Sequence, residues 1–185
     1  METIELKDAV PEVIFLNSHD GTSAYQLRMG IFRAVCTNGL IVSRGAFPAL
    51  CVAHRGDIVE GLVTGAVAMA ERFQGLAAEV ERMEGRHLFK DEQLQFAGRA
   101  LALRYPEPGQ AGMDAGRLLA CRRTEDASDD LWAVLNRVQE NLMVGGLVRR
   151  SVTGRWVRTR RITSIREDVR INSGLWDLAR EVLAA

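Results

Sequence analysis

The apolar positions of this chain follow a period of two near its start and a period of three to four after residue 57. Residues 12–16 (EVIFL) are short, apolar and partly β-branched, which predicts a strand after an irregular lead-in over residues 1–12. Residues 17–23 (NSHDGTS) predict a turn, because Asn, Asp and Ser bond their own backbone and Gly tolerates positive φ. From there Tyr25, Leu27, Met29, Ile31, Arg33 and Val35 fall on one face, with Gln26, Arg28, Gly30, Phe32 and Ala34 on the other. That is strand alternation with Gly30 as a bulge or break, and a helix is the competing reading. Thr37-Asn38-Gly39 fits a hairpin turn, residues 40–43 a returning strand, and residues 49–54, after Pro48, a short edge strand.

The helical part begins at Asp57, placed to cap, with Glu60 three residues on. Ile58, Leu62, Ala66, Met69, Phe73, Leu76, Val80 and Met83 predict one amphipathic helix of about seven turns, closed by Gly85. Residues 91–105 predict a second helix with Leu94, Ala97, Leu101 and Tyr105 inward. Residues 106–116 (PEPGQAGMDAG) form an exposed loop and the best internal boundary. Ser128 is expected to cap a third helix over residues 129–144, with Asp129 and Asp130 at its positive end. Leu131, Val134, Leu135, Val138 and Leu142 share one side of it, and Trp132, Asn136, Gln139, Glu140 and Met143 the opposite side. Gly145-Gly146 stops the helix. An arginine-rich ribbon turned at Thr153-Gly154 follows. Asn172 or Ser173 then starts a closing helix with Leu175, Trp176, Ala179, Val182 and Leu183 available for burial.

Strands, long helices, a basic ribbon and a closing helix define an α+β fold, expected as a single domain over residues 1–185. No apolar run approaches the ~20 residues needed to span a membrane. The acidic N-terminus lacks the layout of a signal peptide, which points to the cytoplasm. Cys36, Cys51 and Cys121 have no close pair, so buried free thiols are expected rather than disulfides or a zinc site. The zero net charge hides an uneven distribution. Residues 149–170 hold eight arginines against Glu167 and Asp168, a local charge of +6 that the rest of the chain balances.

Chemistry-bearing residues are few. Ser18-His19-Asp20 are chain neighbours whose side chains diverge, which suits a turn better than a triad. Nothing in the spacing of His19, Cys36, Cys51 and His54 enforces a tetrahedral metal site. No cofactor motif is present and no nucleophile–base pair stands out, so binding is favoured over catalysis. Asn136, Gln139 and Glu140 share a helical face that is either solvated, packed on the ribbon, or a candidate ligand face. The sharpest signal is Arg149, Arg150, Arg155, Arg158, Arg160 and Arg161 around Trp156. Guanidinium forks pair with phosphates and an indole stacks on bases, so DNA or RNA is the expected partner. The bland alternative is a charged edge paired with the acidic remainder of the chain.

The segments LNSHDGTSAYQL, FRAVCTNGL, HRGDIVEG, RRTEDASDDLW, NRVQENLMVGGL, RTRRITSI and INSGLWDLA, in this order, resemble the phage/plasmid-like proteins of the domain of unknown function 932 family. The resemblance covers nearly the whole chain from Pro11. It implies a setting on prophages, plasmids and other mobile elements, and a further N-terminal region that this chain lacks; it implies no activity. The chain is therefore expected to be a nucleic-acid-binding accessory protein of a mobile element. The alternative is a non-enzymatic interaction or oligomerisation module, joining copies of itself or another mobile-element protein.

Overall fold

The computed structural model describes residues 9–16, 25–33, 40–42, 50–52, 58–107 and 112–185. The turns at 17–23 and 37–39, the interruption at Pro48 and the cap at Asp57 lie outside the described residues. The architecture is α+β, in two compact units divided between Val80 and Glu81. The loop at 106–116 falls within the second.

In the first unit, β1 (Ala9–Leu16), β2 (Tyr25–Arg33), β3 (Leu40–Val42) and β4 (Leu50–Val52) form an antiparallel sheet. β2 is central. β1 runs along one edge, from Ala9 opposite Arg33 to Leu16 opposite Gln26, while β3 and β4 share the other edge. Alternation therefore decides residues 25–33 as strand: Leu27, Met29 and Ile31 are buried on one face. Two expectations change. β1 starts at Ala9 rather than Glu12, and Pro11 is accommodated because β1 is an edge strand. Gly30 makes no bulge, since its register is unbroken opposite Glu12 and Ile41. A Cβ there would lie 2.6 Å from Ile14 Cδ1 and 3.0 Å from Glu12 Cγ, so the glycine makes room for its neighbours' side chains.

The single long helix expected over residues 57–85 is two: α1 (Ile58–Ala70) and α2 (Phe73–Glu84). At the break the Arg72 N–H bonds three residues back, to Met69 O at 2.9 Å. One tightened turn barely shifts the phase of the side chains, so apolar spacing runs through it unmarked. α1 packs on β1, β2 and β4, and Phe15, Leu27, Val63 and Ala66 line an apolar groove of about 270 Å³ there. Val59, Val63 and Val67 are exposed on the same helix.

The second unit is built around α4 (Leu131–Val144), whose residues from Leu131 to Met143 are all buried. α3 (Lys90–Arg104), α5 (Ile165–Ala184) and two short 3-10 segments, Ala115–Leu119 and Thr124–Asp126, pack on it. Three corrections apply here. α3 buries Ala97 and Leu101 as expected, together with Phe96 and Ala100, whereas Leu94 is 49% exposed; the inward stripe is rotated away from Leu94 toward Phe96 and Ala100. α4 is capped by Asp130, whose carboxylate accepts the Ala133 N–H at 2.8 Å, and Ser128 serves that aspartate instead. α5 begins at Ile165, not at Asn172, with Ser164 as cap. Gly145 closes α4 at φ 73°, as its sequence position predicts.

Among the described residues, no helix is long and apolar enough to cross a membrane, and no group of three or more His, Cys, Asp or Glu is placed to hold a metal ion.

Candidate nucleic-acid interface

The ribbon forms where the arginines and the turn residues place it. β5 (Val148–Arg150) and β6 (Trp156–Arg158) pair antiparallel, with Val148 opposite Arg158 and Arg150 opposite Trp156. Gly154, at φ 78°, closes the turn with its N–H on Ser151 O at 2.8 Å. β6 stops at Arg158, and the chain beyond it is stitched to its surroundings. Thr159 is buried and exchanges bonds with Leu147, while Gly146 N–H reaches Thr159 O at 2.9 Å and Ile162 N–H reaches Met143 O at 2.9 Å. The free edge of β5 is also occupied: Arg150 N–H donates to Gly112 O at 2.7 Å.

Strand alternation gives the ribbon two surfaces. The outer one carries Val148, Arg150, Trp156 and Arg158. Trp156 is 65% exposed although the Arg150 guanidinium sits 5.1 Å over its ring. Arg158 spends one nitrogen on Gly146 O, at 2.9 Å. The inner surface carries Arg149 and Val157 and meets the end of α3, where the guanidiniums of Arg149 and Arg104 lie 5.1 and 5.5 Å from the Tyr105 ring centre. A cleft of about 450 Å³ opens there, lined by Arg104, Tyr105, Arg149, Val157, Arg158 and Arg160. Glu167, 4.0 Å from Arg170, contributes a carboxylate to the rim.

Sequence reasoning missed Arg104 and Tyr105. Arg104 donates to Leu142 O at the end of α4 and to Arg160 O at the exit of the ribbon. It ties an open helix terminus to the basic segment and so positions the cleft. The local signal was a basic–aromatic pair just before Pro106, but nothing local reveals that it meets a ribbon so much later in the chain.

Among the described residues no carboxylate lies in ion-pair range of Arg150, Arg155, Arg158, Arg160 or Arg161. Five cations on one segment without a carboxylate partner set up a positive local field.

Asn136, Gln139 and Glu140 sit elsewhere. They are 3%, 2% and 7% exposed, so the solvated or open face expected for them is enclosed. Asn136 donates to Trp132 O at 2.7 Å, Gln139 donates to Asn172 Oδ1 at 3.0 Å, and Glu140 accepts from Arg123 at 2.8 Å. Asn172 in turn donates to Asp168 Oδ1 at 2.6 Å, and burial pushes the Asp168 carboxyl above its ordinary range despite that bond. Polar periodicity could not separate a wet face from an internally bonded one. Cys51 and Cys121 are exposed rather than buried: Cys51 lies on the short strand β4, and the Cys121 thiol bonds Arg123 O at 2.8 Å. His19, Cys36 and His54 lie outside the described residues.

The second unit of this α+β chain thus carries an arginine-lined cleft beside an exposed indole. The chain belongs to the family described as domain of unknown function (DUF932), whose model matches residues 1–176. It is 40% identical over 174 residues to the UPF0380 protein YfjQ of Escherichia coli (strain K12), covering 94% of this chain and 63% of that protein. The UPF0380 protein YafZ of the same organism matches to the same extent, 40% over 174 residues. The chain thus spans 63% of the length of these curated relatives. No solved structure matches it.

Proposed function

We propose that the second unit binds nucleic acid, DNA or RNA, through the ribbon, and that the protein serves as a non-enzymatic accessory of a phage- or plasmid-like element. The observation that carries the binding is charge without a carboxylate partner: among the described residues none lies in ion-pair range of Arg150, Arg155, Arg158, Arg160 or Arg161, which surround a tryptophan that is 65% exposed. A basic edge kept only against aggregation needs no exposed indole, and burying one is favourable by a few kcal/mol. The mobile-element setting rests on the family resemblance. Fluorescence anisotropy of labelled oligonucleotides tests the binding. The wild-type chain is expected to bind at low salt and less at physiological salt, and Arg158→Ala/Arg160→Ala to bind at least tenfold more weakly. Absence of wild-type binding at low salt rejects the proposal.

One observation favours an interaction module as the second reading. The exposed Val59, Val63 and Val67 lie on the helix that borders the apolar groove at Phe15 and Leu27. A strictly monomeric chain in sedimentation, with Val63→Asp indistinguishable from wild type, counts against it.

A further inference from the structure

We infer that the nucleic acid taken by the ribbon is single-stranded, with one unpaired base stacked on Trp156 and the adjoining backbone running past Arg158 into the cleft; this rests on the nucleic-acid reading above. Three features of the ribbon lead there. Trp156 keeps most of its surface open even with Arg150 over the ring. An indole offered this way is satisfied by a base whose π-face is free. In a duplex both faces of each base are already stacked, and exposing one costs unstacking energy.

Arg158 belongs to both surfaces. It shares the outer face with Trp156, about 7 Å along the strand, and also lines the cleft with Arg149 and Arg160. A flexible strand stacked at Trp156 therefore reaches guanidiniums over a short path. Glu167 at the rim repels phosphate, and places the backbone on the arginine side of the cleft.

The duplex alternative, a ribbon inserted into a major groove about 12 Å wide, requires the ribbon to project freely. This ribbon does not. Its β5 edge is bonded to Gly112 O, its inner face lies against Tyr105 through Arg149, and its base is stitched to Leu147 and Met143. Only the outer face and the cleft are offered, and the outer face holds arginine and tryptophan with no Asn or Gln to read base edges.

The test uses intrinsic fluorescence of the full chain. Of the three tryptophans, Trp132 and Trp176 are buried, so collisional quenching and the red edge of the emission report on Trp156. The chain is titrated with an oligothymidylate and with a hairpin duplex of equal phosphate number, with anisotropy recorded in parallel. The expected result is quenching of the exposed emission by the single strand and not by the duplex. Trp156→Ala should weaken single-strand binding roughly 5- to 150-fold, the range one base stack supplies, with partial recovery in Trp156→Phe. Equal binding of both oligonucleotides, without quenching and insensitive to Trp156→Ala, overturns the single-strand inference and leaves nucleic-acid binding standing. Binding of neither overturns both.

Discussion

Individual side chains hold the helix ends of the second unit, and their contributions are separable. The Asp130 carboxylate takes the Ala133 N–H and Ser164 Oγ that of Glu167, so Asp130→Ala and Ser164→Ala should each lower unfolding free energy by about 1 kcal/mol in urea titrations. Glu92 accepts the Phe89 N–H at 2.8 Å and pairs with Arg86, bonds that hold its carboxyl below the usual 4.5. Asp129 is held low chiefly by Gln93, then by Arg137. A carboxyl with a depressed folded pKa stabilises the fold above its unfolded value and loses that contribution as pH falls through the folded one. Asp168 has the opposite sign, because burial raises it. The urea midpoint of Glu92→Gln should therefore fall less than that of wild type between about pH 6 and 3. An unchanged acid slope would contradict the role of Glu92. The cap at Ser164 carries a local signal, Ser-x-x-Glu ahead of an amphipathic run, although the expected start fell at Asn172 or Ser173. Asn172-Ser173 looked like a start because both are cap formers, yet they are buried mid-helix, with Asn172 bonded to Asp168 and Gln139.

Among the elements, the ribbon depends most on its glycines. Gly145 stands at φ 73° and ψ −147°, a region only glycine occupies readily, and a Cβ there would lie 2.7 Å from Arg160 O. Gly154 also has positive φ, but nothing lies within 4 Å of its missing Cβ. Gly145→Ala should cost more than about 2 kcal/mol and weaken nucleic-acid binding by loosening the ribbon base, whereas Gly154→Ala should cost about 1 kcal/mol. Thermal unfolding of the two variants checks the order, and equal costs would contradict it. The Gly-Gly stop and the Thr153-Gly154 turn were readable because glycine's backbone freedom is a local property. The break between α1 and α2 was not, since its bond from Arg72 to Met69 leaves the apolar spacing intact. The polar side of α4 misled for a related reason: an amide on a helix looks the same in sequence whether water or Asn172 is its partner.

At the scale of the whole molecule, a net charge of zero coexists with a segment in which Arg150, Arg155, Arg158, Arg160 and Arg161 have no carboxylate in ion-pair range among the described residues. The basic segment itself was visible in the sequence. That Arg104 and Tyr105 join it emerges only when α3 and the ribbon meet. Long-range assembly of this kind leaves no periodic trace. Family membership fixes the relatives, which are longer than this chain, and leaves their activity open.

The most direct measurement is the salt dependence of oligonucleotide anisotropy for wild type, Arg158→Ala/Arg160→Ala, and Arg82→Ala/Arg99→Ala as a charge-matched control on other helices. Each phosphate contact on a single strand contributes about −0.7 to the slope of log K against log salt. The ribbon variant should lose affinity and flatten the slope by about 1.4, while the control stays close to wild type. Equal losses in both variants, or a slope near zero for wild type, would contradict a nucleic-acid interface on the ribbon.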